Sequence, residues 1–327
     1  MGKLNFKYSG AFMMLALLII PLLLNSNYIF GTMIVIGLYT IIVQGLGILM
    51  GYAGQVSFGH AAFFGLGAYT AAILTTRFHW PSLAALIVAI VLPGIVAAII
   101  GRQTLKLREL YLALATLGFG IFIHIVFTEG GEITGGPSGI SGIPHLGIGR
   151  FVLSGDREFY ILVWLILVLV LIGIRNLVRS RSGRALCAIR ESEYAAENAG
   201  IDCVHLKWQA FIFSALLAGL AGGLYAFYVT FISPSPFTFH ASVQFVLMAV
   251  IGGLGTFWGP LLGAAVVVAL SEILKELVPL IIPGAGGEYQ IIIYGIILVT
   301  LMIYRPQGLS SIGQILRKLS ATAVKHH

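Results

Sequence analysis

Charge is what this sequence has least of. Asp, Glu, Lys and Arg together make up 9% of its 327 residues, against about a quarter in soluble domains. No acidic or basic residue occurs between Tyr8 and Thr76, or between Trp208 and Ser271. An ionised side chain is expensive in hydrocarbon, so charges mark where helices leave a bilayer and long gaps mark where they cross it. With 58% hydrophobic residues and a mean hydropathy of +0.99, the composition excludes a soluble globular domain and points to an integral membrane protein. Cysteine is nearly missing as well. Cys187 and Cys203 are the only two; their surroundings lack metal-ligand spacing, which excludes a disulfide scaffold or a zinc motif and fits free thiols in a reducing cytoplasm. The chain contains no G-x-x-x-x-G-K-[ST] loop, so it does not bind ATP in that manner. Nothing resembles a catalytic triad, a zinc site or paired acid/base carboxylates; the expectation is a non-enzyme that needs no cofactor and no metal. A net charge of +7 could suggest nucleic acid, but the basic residues lie at the ends of hydrophobic runs and not on a basic face.

What is present is a series of apolar runs. A helix rises about 1.5 Å per residue and needs roughly 20 residues to cross about 30 Å of hydrocarbon, so the first uncharged gap has room for three spans. Turn and charge signals divide the chain into about ten transmembrane helices, near residues 8–24, 28–50, 56–76, 82–100, 110–128, 159–175, 208–232, 240–256, 261–278 and 289–304. The first, preceded by Lys3 and Lys7, is followed by "NSN" and no small-residue cleavage site, so it is read as an uncleaved span. The fold class is all-α and polytopic, with both termini on one side. If that side is the cytoplasm, fifteen of the 19 Lys and Arg residues lie inside, as the positive-inside rule requires. The whole chain, 1–327, then forms one transmembrane domain with an external loop at 129–158 and a cytoplasmic loop at 176–207. The external loop carries "TGGPSGISGIP"; it is either a linker or a docking surface for an external partner.

The cytoplasmic loop is a charged island. In "SGRALCAIRESEYAAENAGIDCVHLKWQAF", Ser182 to Phe211, Ser192 suits a helix N-cap, Glu193 the first turn, and Gly200 a left-handed stop. The spacing predicts a helix of about eight residues, roughly 12 Å long, with Ala195 and Ala199 on one face and Glu193 and Glu197 on another. A helix this short needs support from the protein's own surface or from a partner's groove; a solvated loop is the alternative.

Glycine punctuates the spans. Gly51, Gly54, Gly59, Gly65 and Gly67 in "GYAGQVSFGHAAFFGLGAY" let helices pack closely in lipid. They also admit a second reading, in which Gln55, Ser57 and His60 lie at a helix break lining a polar path, since irregular backbone at membrane depth is tolerated only inside protein or beside water. Gly252, Gly255 and Gly259 in "IGGLGTFWGP" echo Gly51, Gly54 and Gly59, a hint of internal repetition. His60 has no second histidine or carboxylate nearby in sequence, so a hydrogen-bonded histidine at a helix end is expected ahead of a metal or proton-relay role. Glu272, Lys275 and Glu276 share one helical face and are expected to pair among themselves and snorkel to the interface, with contact to an external partner protein as the alternative.

Taken in order, "GYAGQVSFGHAAFFGLGAYTAA", "TGGPSGISGIP", "SGRALCAIRESEYAAENAGID" with "KWQAFIFSALLAGLAGGLYA", "VLMAVIGGLGTFWGPLLGA" and "YRPQGL" resemble the LivM-type permease subunits of branched-chain amino-acid ABC importers. The resemblance covers most of the chain. It implies a multi-pass subunit of the bacterial inner membrane that pairs with a related permease. Two cytoplasmic ATP-binding subunits and a periplasmic amino-acid-binding protein would complete the importer. It also implies that the island is the coupling helix, centred on Arg190, Glu191, Ala195, Ala196 and Gly200; Gln55, Ser57, His60, Gly252 and Gly255, read from the glycine-rich breaks, are the candidates for the translocation path. Related permeases carry urea or short amides, which leaves that substrate class as an alternative. An ion-coupled secondary transporter, the further alternative, would usually show an intramembrane carboxylate, and the first gap has none.

Overall fold

A computed structural model describes residues 26–104, 109–148, 151–281, 295–296 and 299–300. The path begins with α1 (Asn27–Gly47), which runs on into a π-helical turn, Ile48–Tyr52, and then stops. α2 (His60–Thr76), α3 (Ser82–Thr104) and α4 (Glu109–Glu129) follow. Beyond them come a single turn α5 (Gly131–Thr134), a 3-10 turn Gly136–Ser138, and the two-residue strands β1 (Ile140–Ser141), β2 (Gly147–Ile148) and β3 (Phe151–Val152). α6 (Asp156–Arg179) leads into α7 (Arg181–Glu191) and α8 (Glu193–Asn198). α9 (Cys203–Val229), β4 (Phe231–Ile232), a 3-10 turn Ser235–Phe237, α10 (Phe239–Gly252) and α11 (Gly259–Ile281) complete the described path. Among the described residues, five helices are long and apolar enough to cross a membrane: α1 with its π turn, α3, α4 from Tyr111, α6 and α9. The protein is thus a largely helical, multi-pass membrane protein. Of the ten expected spans, 8–24 and all but four residues of 289–304 lie outside the described residues.

Core and rim follow from side-chain size. α1 and α9 sit at the centre, 83% and 72% buried over their most apolar windows, whereas α3, α4 and α6 are a third buried or less. α9 places Gly219, Gly222 and Gly223 where neighbours pass: a Cβ on Gly222 would strike the Phe64 carbonyl of α2, one on Gly219 would come within 2.6 Å of the Ala89 carbonyl of α3, and one on Gly223 within 2.8 Å of Leu86. In lipid no hydrophobic drive holds helices together, so backbone approach of this kind supplies the association. The rim helices carry the opposite pattern. Leu83, Ile87, Val91, Ile95 and Ile99 form an exposed stripe along α3, and Ile161, Leu165, Leu169 and Ile172 one along α6. Stripes of this kind suit acyl chains or apolar partner helices.

At one end of the bundle, 129–148 and 151–158 fold back as a small cap. β1 pairs antiparallel with β4 through Ile140 and Ile232, β2 pairs with β3, and the Ile143 N–H donates to the Thr230 carbonyl. Ile140, Ile143 and Leu146 are buried. The segment is therefore a packed lid and not a linker. Under it, Phe237 enters a ring cluster with Phe64, Tyr69 and Phe127, at centroid distances of 5.1, 5.8 and 6.0 Å. The opposite end holds the close of α1, the α7–α8 island and the 253–258 loop. Tyr28 donates to Glu272, which also accepts from Lys275 at 2.7 Å, so the expected pairing on α11 is present between Glu272 and Lys275.

Candidate functional site

The break after α1 is longer than the sequence suggested. The span expected at 56–76 becomes helical only at His60, and 53–59 runs as irregular backbone. The Ala53 and Gln55 N–H groups close the π turn on the Ile48 and Leu49 carbonyls, and Gly54 then turns the chain at φ +72°. From there the segment climbs back into the bundle. The Phe58 N–H donates to Thr116 Oγ1 at 3.1 Å and the Ala61 N–H to Ser242 Oγ at 3.1 Å. Thr116 lies about 10 Å along α4 from its start at this end, and Ser242 about 15 Å from the Gly252 end of α10, at 1.5 Å per residue. His60 thus sits well inside the protein.

The first N–H groups of a helix have no partner within it. Hydroxyls from α4 and α10 replace the usual cap here, and neither was apparent from sequence. What remains unsatisfied is on the side chains. Gln55, Ser57 and His60 are all buried, and Gln55 Oε1, His60 Nδ1 and His60 Nε2 have no hydrogen-bond partner. This corrects the expectation of a hydrogen-bonded histidine: His60 does open a helix, but its ring is packed edge-on against Phe63. Orphaned polar atoms of this kind cost about 1–3 kcal/mol each. Chemically the group offers an amide oxygen acceptor and an imidazole that both donates and accepts.

The second glycine cluster meets the first. Gly253 and Gly255 have φ of +109° and +74°, so the α10–α11 connection turns sharply, and a Cβ on Gly51 would press into the Gly255 backbone, 2.8 Å from its Cα. Gly252 packs on Gly259 and Gly263 where α10 and α11 cross. Gln44 Nε2 of α1 donates to the Phe257 carbonyl and fixes the same loop. Gly54 and Gly255, corresponding members of the two triplets, are both left-handed. Gly252 and Gly255 therefore border the break; Gln55, Ser57 and His60 lie on the segment that rises from it.

The island is two helices. α7 was not anticipated: Leu186 and Ile189 are buried, giving it an apolar face, and Gly183 permits the tight turn out of α6, since a Cβ there would lie 2.6 Å from Val178 Cα. α8 matches the expected short helix. Ser192 Oγ accepts from the Ala195 N–H, and Gly200 closes the helix at φ +79°. Ala195, Glu197 and Ala199 are exposed and Tyr194 is 83% exposed, but Ala196 is buried against its own chain. Glu191 is exposed. Glu193 pairs at 2.6 Å with Lys207, a buried lysine on α9, which pins α8 to the bundle. Glu193, Glu197 and Cys203 gather ligand atoms within 4.8 Å of one another, but the Lys207 ammonium already neutralises one carboxylate of the group. At the same end, a cavity of about 400 Å³ opens between α3 and α9, lined by Arg102, Asp202, His205 and Trp208.

Arg190, at the end of α7, reaches the break. Its Nη1 donates to the Gly51 carbonyl at 2.5 Å. A Cβ on Gly54 would touch Cγ of Arg190 at 3.4 Å, and one on Gly255 would approach Nη1 to 2.9 Å. One side chain thus joins the island to both glycine turns.

Residues 28–302 match the family described as "Branched-chain amino acid transport system / permease component". The chain belongs to that family. It is 33% identical over 311 residues to the protein named high-affinity branched-chain amino acid transport system permease protein LivM of Escherichia coli K12, covering 88% of this chain and 71% of that protein. It is 27% identical over 315 residues to the probable branched-chain amino acid transport permease protein LivM of Methanocaldococcus jannaschii, covering 84% and 90%. A more distant relative is the LivH permease protein of Salmonella typhimurium, 22% identical over 286 residues, 83% of this chain and 90% of that one. No solved structure matches.

Proposed function

We propose that the chain is a translocating subunit of an ATP-driven importer that carries branched-chain or similar hydrophobic amino acids into the cell. It would pair with a related permease, with cytoplasmic ATPases below and a periplasmic binding protein above. The observation that carries this reading is the docking of the α7–α8 island on the break in α1: a helical outcrop, exposed at Tyr194, Ala195 and Glu197 and buried at Ala196, lies directly against discontinuous backbone. Family membership supports the substrate class, and similarity to proteins named LivM and to proteins named LivH supports a pair of related subunits. The charge asymmetry of the loops supports placing the island end in the cytoplasm and the strand-bearing cap outside.

In this reading the ATPases close beneath the island and push on its exposed face, while Leu186 and Ile189 hold its inner face on the bundle. Gln55, Ser57 and His60 line the route, with Gly252 and Gly255 at its cytoplasmic mouth. A net-neutral zwitterion suits a route without fixed charge: its ammonium finds acceptors in Gln55 Oε1 and an imidazole nitrogen, and its carboxylate the other, protonated nitrogen. The test is reconstitution of the co-purified subunits in vesicles. Uptake of leucine, isoleucine or valine that requires ATP, the binding protein and this subunit together is the expected result. Uptake that persists without ATP and follows an ion gradient would overturn it, and preferential uptake of urea or short amides would reassign the substrate.

A further inference from the structure

We infer that Arg190 is the positioning residue through which motion of the island reaches the translocation route. The hydrogen bond from Arg190 Nη1 ends on the Gly51 carbonyl, which belongs to the π turn closing α1. The last carbonyls of a helix have no partner within it and carry the negative end of its dipole. A guanidinium placed there is both a cap and a charge-assisted bond, among the stronger contacts a neutral backbone group makes. The Ile48 and Leu49 carbonyls are already taken by the Ala53 and Gln55 N–H groups, so Arg190 completes the closing of this helix end. Its methylene stem lies along Gly54, and Nη1 lies against Gly255. Gly54 and Gly255 lack the side chain that would keep the arginine away, and Gly51 lacks the one that would keep Gly255 away.

The consequence is mechanical. Besides Arg190, α7 rests on the bundle through its inner face, including Leu186 and Ile189, and turns out of α6 at Gly183. A tilt of α7 shifts Arg190, and the carbonyl it grips, in the π turn, lies four residues before Gln55 and nine before His60 along the chain, with the irregular backbone at 53–59 between that turn and α2. The same guanidinium abuts the left-handed Gly255, so the two turns move together or the bond is lost. Arg190 stays exposed overall, but its bonded nitrogen ends on the break; in this proposal it is a clasp on that backbone and not a contact for the ATPases. This rests on the importer reading above.

The experiment compares Arg190→Met, which keeps the stem and removes the donors, with Arg190→Lys, which keeps a donor able to reach the Gly51 carbonyl. Both are assayed in the reconstituted complex for subunit association, ATP hydrolysis, amino-acid uptake, and the distance between probes at Val56 and Leu254 with and without ATP. The expected result for Arg190→Met is unchanged association and hydrolysis, uptake per ATP lowered about tenfold or more in line with loss of a charge-assisted hydrogen bond, and a probe distance that no longer responds to ATP. Arg190→Lys restores part of both. Wild-type uptake and probe response in Arg190→Met overturn the clasp while leaving the importer reading intact. Loss of ATPase association or hydrolysis also overturns it, because Arg190 would then face the partner. ATP-independent uptake in the wild-type complex removes the importer reading itself.

Discussion

Replacing Ser242 with alanine isolates the feature that makes the helix break possible. Ser242 Oγ accepts from the Ala61 N–H at 3.1 Å, inside the bundle, and that donor has no other partner. Serine and alanine differ by one oxygen, so the substitution leaves little cavity and removes one acceptor. A buried donor left unpaired costs about 1–3 kcal/mol, which is roughly a 5- to 150-fold change in the folding equilibrium at 1.4 kcal/mol per tenfold. Thr116→Ser keeps the hydroxyl that receives the Phe58 N–H and is expected to be nearly silent, whereas Thr116→Ala costs a similar 1–3 kcal/mol. The two acceptors serve different N–H groups, so the double variant should come close to the sum of the singles, with departures of about 0.5 kcal/mol. The assay is unfolding of the purified subunit in mixed micelles, followed by tryptophan fluorescence; Trp164 and Trp208 report well because each indole donates to a backbone carbonyl across a helix contact. Unfolding midpoints for Ser242→Ala within error of wild type would refute the idea that hydroxyls on α4 and α10 sustain the irregular segment.

Substitution of Gly222 by valine is expected to prevent assembly of α2 against α9, seen as loss of folded protein, because its Cβ would meet the Phe64 carbonyl; Gly173→Ala on α6, where a Cβ meets nothing within 4 Å, should be tolerated or stabilise by up to about 1 kcal/mol. Cys187 is exposed and Cys203 buried, so an impermeant maleimide should label Cys187 from the cytoplasmic side alone, and Lys207→Met, by releasing Glu193, should raise labelling of Cys203; labelling of Cys187 from outside intact cells would reverse the assigned orientation. Gly200→Val forces a β-branched residue into the left-handed region at φ +79°, a strain of about 1–2 kcal/mol, and should lower ATP-coupled uptake while subunit abundance in the membrane holds.

The helices between 27 and 281 were legible because they are bounded by charges and turns, both local signals, although only five of those described are long and apolar enough to cross a membrane. The same is true of α8: an N-cap serine and a left-handed glycine lie eight residues apart, and the structure uses both. The α7 helix was missed because Gly183 and the surrounding arginines mask its apolar face, although Leu186 and Ile189, spaced i, i+3, marked it. The start of α2 was misplaced for a different reason. Val56 and Phe58 read as apolar span, and nothing near them in sequence says that Thr116 and Ser242 accept the N–H groups there; a non-local cap leaves no local trace. His60 was expected to find a partner because buried imidazoles usually do; both its ring nitrogens, like Gln55 Oε1 on the same segment, proved unpaired. The sequence leaves the loop at 129–158 open between a linker and a docking surface. Its order comes from β4, which the sequence places more than eighty residues away and the structure pairs with Ile140.

The central claim is that the island receives the motion of separate ATPases. Tyr194, the most exposed of its large hydrophobic side chains, gives the direct measurement: a photo-reactive residue at position 194, in the assembled complex in native membranes, with cross-linked products identified by mass spectrometry with and without ATP. The account predicts a cross-link to the ATP-binding subunit whose yield changes with nucleotide. Cross-links confined to lipid, or to this chain alone, in a complex that still transports would contradict it.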